Sequence, residues 1–411
     1  MQAARVVITG MGSISPFGRG VNTLVDSLFN MKSAVVNVPE LAAVGGLRTR
    51  VAALVPDIDP KEILRKHRRS MSMMSVYATL ACKEALGQSD PPAEHFTAGR
   101  MGIIIGSTVG SPIVTEEFFS GYLSGHSIEN MRATTFFQIM NHSCASNVAQ
   151  TLGINGRILA PSSACSTSCQ AIGYGFEMIA FGKQDMMLCG GADEFHPLSP
   201  ATFDIMSAAS IAYNDTPGRT PRPFDRDRDG VVCSEGSGIL LLESLDSAKR
   251  RGAPILAEIA GFATRCDTSN IADPNSDSME ACMKQALDDA GMTAGDIGHV
   301  NAHATGTIQG DNAEAEAIGR VFGSSVPVSS LKGHLGHTMA ACGALEMIAS
   351  VAMIRSGSVI PTLNMENIDP SCAGIRHVRK VERLDIGAVM KNNFALGGVN
   401  TSIVIRRYEH D

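Results

Sequence analysis

Along the 411-residue chain, short apolar runs alternate with longer segments of helical periodicity. That alternation predicts an α/β fold, with strands separated by helical crossovers. Strands are expected at Val6–Thr9, Gly102–Gly106, Arg157–Ala160, Asp185–Cys189, Ile239–Leu242, Ile255–Ala260, Val326–Val328 and Ser402–Ile405. Met279, Cys282, Met283, Ala286, Leu287 and Ala290 recur at i, i+3, i+4, i+7, i+8 and i+11, the one-sided stripe of a helix covering a core. The stretches Ala171–Phe181 and Ala340–Ile354 are instead apolar on nearly every face, which predicts two central helices sandwiched between layers.

These two helices share sequence as well as character. Glu177-Met178-Ile179-Ala180 in the first returns as Glu346-Met347-Ile348-Ala349 in the second, and each helix follows a strand and a Ser-Ser turn, Ser162-Ser163 or Ser329-Ser330. The repeated order suggests a duplicated chain whose halves, 1–252 and 253–411, meet near Arg251–Pro254. Pro221-Arg222-Pro223 and Asp273-Pro274-Asn275 read as surface loops.

Composition narrows the class. Only 18% of residues are charged, against about 25% in an average soluble domain, and there are 41 glycines and no tryptophan. This excludes a disordered tail, a coiled coil and a small disulfide-stapled module, and implies a large core or a covered face. A net charge of −7 removes any global attraction to nucleic acid or anionic membrane, so an acidic partner must meet a local basic patch. Gly333–Arg355 is apolar enough to suggest a membrane span, yet it contains His334, His337 and Glu346 and reads better as a buried helix. The N-terminal run Arg5–Thr9 lacks the order of a signal peptide, and ten scattered cysteines fit a reducing cytoplasm.

Candidate chemistry gathers at three small-residue turns. Cys165, in Ser162–Ser168, lies at the mouth of the first central helix, where free N–H groups and the helix dipole favour a thiolate. His303 follows an apolar run in Asn301–Thr307, placed to hydrogen-bond an oxyanion or move a proton. Lys332, His334 and His337 open the second central helix, at the place corresponding to Cys165 in the first. Other motifs fail. His334 and His337 lack further ligands for zinc, so no metal is expected. The Asp225–Gly230 imitation of a calcium loop has Glu235 one position short. Gly10-Met11-Gly12 lacks the third glycine of a dinucleotide loop, at Ser15.

With Cys165, His303, Lys332 and His337 in this order, the sequence resembles the β-ketoacyl-[acyl-carrier-protein] synthases, and the resemblance spans almost the whole chain. Further matches are Val6–Gly12, Ile105-Gly106-Ser107, Gly190-Gly191-Ala192, Arg222-Pro223-Phe224-Asp225, Asp229-Gly230 and Gly397-Gly398 with Asn400. Ser162–Ser168 and Gly182–Asp185 are most similar to the elongating enzymes. The resemblance implies a thiolase-like fold, two duplicated α/β halves in five αβαβα layers, acting as a homodimer or as a heterodimer with a related subunit. It implies acyl transfer from an acyl carrier protein to Cys165, then condensation with a decarboxylated malonyl unit in fatty acid or polyketide synthesis. His303 and His337 would stabilise the enolate, Lys332 would hold them electrostatically and by hydrogen bonds, and Glu314 would organise the same network. The backbone N–H groups of Cys165 and Leu396 would form an oxyanion hole, Phe394 and Leu396 standing in the gate loop Asn392–Gly398. Thr305 and Thr307 would contact the phosphopantetheine arm, which the carrier protein brings, so no resident cofactor is implied.

Two departures from the family pattern stand out. Ala395 and Leu396 replace glycine and an aromatic residue, and a Cβ at Ala395 is expected to restrict the gate. The basic cluster Arg65, Lys66, His67, Arg68, Arg69 aligns with a carrier-docking segment, pointing to Arg65, Lys66 and Arg69. Two alternatives share the fold: a non-catalytic chain-length subunit, disfavoured by the retained Cys165 and histidines, and thiolase-type acyl transfer, disfavoured by the Lys332–His337 segment.

Overall fold

A computed structural model describes residues 3–129 and 131–409. Its centre is a twelve-stranded sheet. Eleven strands matter here: β1 Val6–Ser15, β2 Met101–Gly106, β3 Ile158–Leu159, β4 Met186–Asp193, β5 Gly236–Ser244, β6 Ala257–Cys266, β7 His299–Asn301, β8 Pro327–Ser329, β9 Arg376–His377, β10 Ala388–Ala395 and β11 Val399–Arg406. All eight expected strands are present. The strands β7, β9 and β10 lie outside the sequence expectation, β10 because its apolar residues are interrupted by Lys391, Asn392 and Asn393.

The strand order repeats. Residues up to 244 give β3-β2-β4-β5-β1, and those from 257 give β8-β7-β10-β11-β6, with β9 added at the edge. In the first set β2 runs parallel to β3 and β4, and β5 antiparallel to β4 and β1; in the second β7 runs parallel to β8 and β10, and β11 antiparallel to β10 and β6. Antiparallel pairing of β1 with β6 joins the two sets.

The principal helices are α1 Met73–Ser89, α2 Thr167–Ala180, α3 Ser276–Ala290, α4 Ile308–Phe322 and α5 Cys342–Ser356. Helix α1 packs on β1 and β5, α3 on β6 and β11, and α4 on α3, while α2 and α5 lie against each other and touch strands of both sets. Strands covered on both faces bury every side chain, and alternate residues serve different cores. Ile239 and Leu241 enter the cluster under α1, whereas Leu240 and Leu242 enter the central one. Likewise Met390 and Val404 pack beneath α3, and Val389, Ile403 and Ile405 face the centre. That division explains continuous apolar runs where a one-sided sheet would alternate. Close approach is enforced by small residues, since a Cβ on Gly191 would lie 2.2 Å from the Ala340 carbonyl oxygen.

Helix α5 is buried on all sides, Glu346 included, as its composition requires. The span-length apolar helix Met339–Ser356 is therefore a core helix, with 78% of that window inside the fold. Helix α2 is less enclosed: Glu177 is exposed, and Tyr174 and Phe176 are half-buried. The four-letter match between the helices is out of structural register. Ala164 (φ 48°) and Met339 (φ 51°) begin equivalent turns, and superposing those turns sets Glu177 opposite Ala352 rather than Glu346. Pro221-Arg222-Pro223 is also not a surface loop. It is buried, and the Arg222 charge is met there by Asp225 at 3.1 Å, which offsets the cost of desolvation. Asp225 in turn accepts N–H bonds from Asp227, Glu366 and Asn367, which makes this segment a structural loop.

Candidate active site

Three turns converge at one end of the central helices. Cys165 occupies a single 3₁₀ turn, Ala164–Ser166, leading into α2. The left-handed Ala164 costs roughly a kcal/mol for a residue with a Cβ. The turn is held by Thr167 Oγ1 donating to Ala164 O at 2.7 Å and by Ser166 Oγ donating to Val399 O at 2.7 Å. His303 stands just beyond β7, where Glu314 on α4 accepts the backbone N–H groups of His303 and Ala304 at 2.7 and 2.6 Å. His337 is fixed by its own backbone, its N–H donating to Val232 O at 2.8 Å and its carbonyl accepting from Ser234 at 2.9 Å.

The imidazole Nε2 of His337 lies 2.9 Å from Cys165 Sγ, and the His303 and His337 rings meet edge to face with centroids 5.3 Å apart. The Met339 N–H donates to His337 Nδ1 at 3.2 Å, which leaves the His337 proton on Nε2, facing the sulfur. Asn393 Nδ2 plays the corresponding part for His303 Nδ1, also at 3.2 Å. The three donor atoms lie within 4.8 Å of one another, as a metal site would require. Metal ligation needs lone pairs on both Nε2 atoms, however, and N–H donors at both Nδ1 atoms favour protons there instead.

The electrostatics differ from the sequence expectation in two ways. Burial pushes the Cys165 thiol up to about 11, although the Lys332 charge and the backbone N–H of Leu396 pull the other way. A helix N-terminus alone therefore does not make a standing thiolate here. Lys332 makes its hydrogen bond to Glu346, not to the histidines, and Lys391 binds the other Glu346 oxygen at 2.7 Å. Burial works against the charge on Lys332, but Glu346 more than offsets this and holds the ammonium above its usual value. Lys332 reaches the histidines by charge alone. Burial, reinforced by Lys332, keeps His303 and His337 well below the usual histidine value and hence neutral. Burial also raises Glu314 to about 7.

A cavity of about 690 Å³ opens onto Cys165, His303 and His337. Thr305, Thr307, Glu314, Phe394 and Leu396 line it with them, whereas Lys332 lies outside the lining. Strand β10 runs through Phe394 to Ala395, which pairs with Val399, so the turn is confined to Leu396–Gly398. Ala395 thus has ordinary strand backbone and its Cβ imposes no strain. The positive-φ positions are Gly397 and Gly398, and a Cβ on Gly398 would lie 2.3 Å from Asp267 O.

Other sequence candidates fall elsewhere. His334 is buried between the carbonyl oxygens of Lys32 and Pro361, and the position corresponding to Cys165 is Ala340, not Lys332. Arg65, Lys66 and Arg69 are exposed on the short helix Arg65–Arg68 and its flank, outside the cavity lining. Nine of the ten cysteines are buried and Cys266 is exposed; all are free. The sequence assigned no part in the site to Asn393, Glu346 or Lys391, nor to the segment Ile271–Pro274, which lines the cavity and whose Asp273-Pro274 read only as a surface loop. The one available signal was polarity out of place in Glu346, an acid inside an all-apolar helix; the strand that carries Asn393 was itself hidden by its Lys-Asn-Asn run.

A buried thiol facing two neutral imidazoles, on a repeated α/β core with paired central helices, defines the class of thiolase-like condensing acyltransferases. Comparison with known proteins gives the family. Residues 3–248 match the beta-ketoacyl synthase N-terminal domain and residues 256–366 the C-terminal domain. The chain is 36% identical to 3-oxoacyl-[acyl-carrier-protein] synthase 2 of Vibrio cholerae, covering 99% of this chain and 100% of the relative. A beta-ketoacyl synthase from Burkholderia phymatum superposes with a TM-score of 0.95 at 41% identity, over 99% of this chain and 100% of that one. A type II polyketide ketosynthase, in complex with its acyl-carrier protein bound to the hexaketide, superposes at 0.90 with 28% identity and the same coverage. The chain belongs to the β-ketoacyl synthase family and is a condensing enzyme of the acyltransferase class.

Proposed function

We propose that Cys165 takes an acyl group from an acyl carrier protein and that the enzyme condenses it with a malonyl unit carried in the same way. The Cys165 thiolate attacks the incoming thioester carbonyl, and the carrier thiol leaves with the proton that Cys165 gave up. The oxyanion formed on the way is met by the backbone N–H groups of Cys165 and Leu396. Malonyl thioester then enters, and carbon dioxide departs, leaving its electron pair in an enolate. The Nε2–H groups of His303 and His337 face the thioester oxygen where that charge develops. The enolate carbon attacks the acyl carbonyl, Cys165 leaves as thiolate, and the lengthened β-ketoacyl chain remains on its carrier.

The observation that carries this reading is the 2.9 Å contact between His337 Nε2 and Cys165 Sγ, with His303 alongside, at the base of the cavity. Burial, reinforced by the Lys332 charge, keeps both histidines neutral donors, and Glu314 fixes the backbone of the His303 turn. Thr305 and Thr307 stand where a phosphopantetheine arm passes, and no resident cofactor enters the chemistry. Arg65, Lys66 and Arg69 supply the positive surface an acidic carrier protein needs. Division at 252/253, assembly as a homodimer or heterodimer and a cytoplasmic location belong to the same reading. Exposed Ile158 and Leu159 on edge strand β3, with the free cysteines, support the last two.

Incubation with acyl carrier proteins of several chain lengths tests it by intact mass. An acyl adduct is expected on the native protein and not on Cys165→Ser, together with carbon dioxide release from malonyl carrier protein. Absence of an adduct at every chain length would overturn the proposal.

A further inference from the structure

Among the buried polar groups around Cys165, Asn393 makes the most contacts with the reacting residues. It is fully buried on β10, and its Nδ2 lies 3.0 Å from the Cys165 carbonyl oxygen, 3.2 Å from His303 Nδ1 and 3.1 Å from Cys342 Sγ. The carbonyl fixes which way the amide points, because the flipped amide would set two oxygens face to face. Cys169 confirms that orientation by donating its thiol hydrogen to Asn393 Oδ1 at 3.0 Å. One amide hydrogen is thus committed to Cys165 O, and the other is directed between His303 Nδ1 and Cys342 Sγ. Cys342 in turn donates its own thiol hydrogen to Cys165 O at 3.3 Å, leaving its sulfur lone pairs toward the amide.

A neutral imidazole carries a single proton, and a donor at Nδ1 drives it to Nε2. For His337 that donor is the backbone N–H of Met339. His303 stands beyond β7 at a turn whose own N–H groups are taken by Glu314, so its donor comes from a side chain on another strand. We propose that Asn393 is a positioning residue that holds His303 in the Nε2–H tautomer, presenting that N–H to the malonyl thioester oxygen. The same amide ties the nucleophile turn to the His303 ring. This rests on the condensing reading for the thioester, but the tautomer assignment itself does not.

The test uses the full-length enzyme labelled with ¹⁵N-histidine, the His303 resonances being assigned by their loss in His303→Ala. Native protein is expected to show a protonated Nε2 at neutral pH. Asn393→Leu, close in volume but without the amide, is expected to populate Nδ1–H at His303; Asn393→Ala serves the same purpose if the leucine variant does not fold. Carbon dioxide release from malonyl carrier protein should then fall about tenfold or more in kcat, with KM changed less than about threefold. In a His303→Ala background the same substitution should change kcat by less than about twofold, because it acts through the missing ring. An unchanged His303 tautomer in a folded variant overturns the proposal, as does an equal loss of kcat with and without His303. A tautomer shift in a protein that releases no carbon dioxide at all would keep the role of Asn393 and remove the condensing reading instead.

Discussion

Replacing Lys332 with methionine tests how the nucleophile is activated. The thiol of Cys165, pushed up to about 11 by burial, is ionised to only about one part in a thousand at pH 8. Alkylation by iodoacetamide, which requires the thiolate, should therefore rise about tenfold per pH unit from pH 7 to pH 10. The Lys332 ammonium is the largest influence favouring the thiolate, and a nearby opposite charge typically moves a pKa by about 1–3 units. Lys332→Met should thus slow alkylation at pH 8 by about tenfold or more. Its stability cost should stay below the roughly 3–5 kcal/mol of breaking a buried pair outright, because Lys391 continues to neutralise Glu346 at 2.7 Å. Rates measured by intact mass across pH, with melting curves as the folding control, decide the matter. A native rate that is flat between pH 7 and 9 would mean a preformed thiolate and refute the burial argument. An unchanged rate in folded Lys332→Met would refute the electrostatic role.

Three further outcomes follow from the geometry. Gly398→Ala sets a Cβ 2.3 Å from Asp267 O at a positive φ, so the turn must shift and carry the Leu396 N–H away from the sulfur; pre-steady-state acylation should slow by about 10²-fold. Glu314, raised to about 7, favours its protonated form when folded, so its contribution to stability is full below its unfolded value and is lost as pH rises through 7. Urea titrations should accordingly show native protein losing about 3 kcal/mol relative to Glu314→Gln between pH 4.5 and 7.5, and a constant difference would contradict the assignment. Charge reversal at Lys66 and Arg69 should raise KM for carrier-bound substrate several-fold while sparing small acyl thioesters; equal loss with both would locate the carrier elsewhere.

Hydrophobic pattern alone determined much of this protein. The run Ile239-Leu240-Leu241-Leu242 announced a strand, and the apolar surround of α5 announced a central helix, because burial on every side leaves no polar period in the sequence. The small-residue turns at Cys165 and His303 were legible for a related reason, since a reacting carbonyl needs room. Asn393 was not legible, because an asparagine inside a strand reads as a break in the apolar run rather than as a buried donor. The partner of Lys332 was equally hidden, since Glu346 lies on a different helix and composition cannot say which acid a buried lysine will find. Sequence also could not set the Cys165 thiol, where the free N–H groups of a local turn argued for ionisation and the depth of burial decided against it. The contact between Cys165 and His337 spans 172 positions of chain. Periodicity records which side of an element faces inward, and only the packing of the sheet's two halves around two helices decides which inward groups meet and how little water they keep.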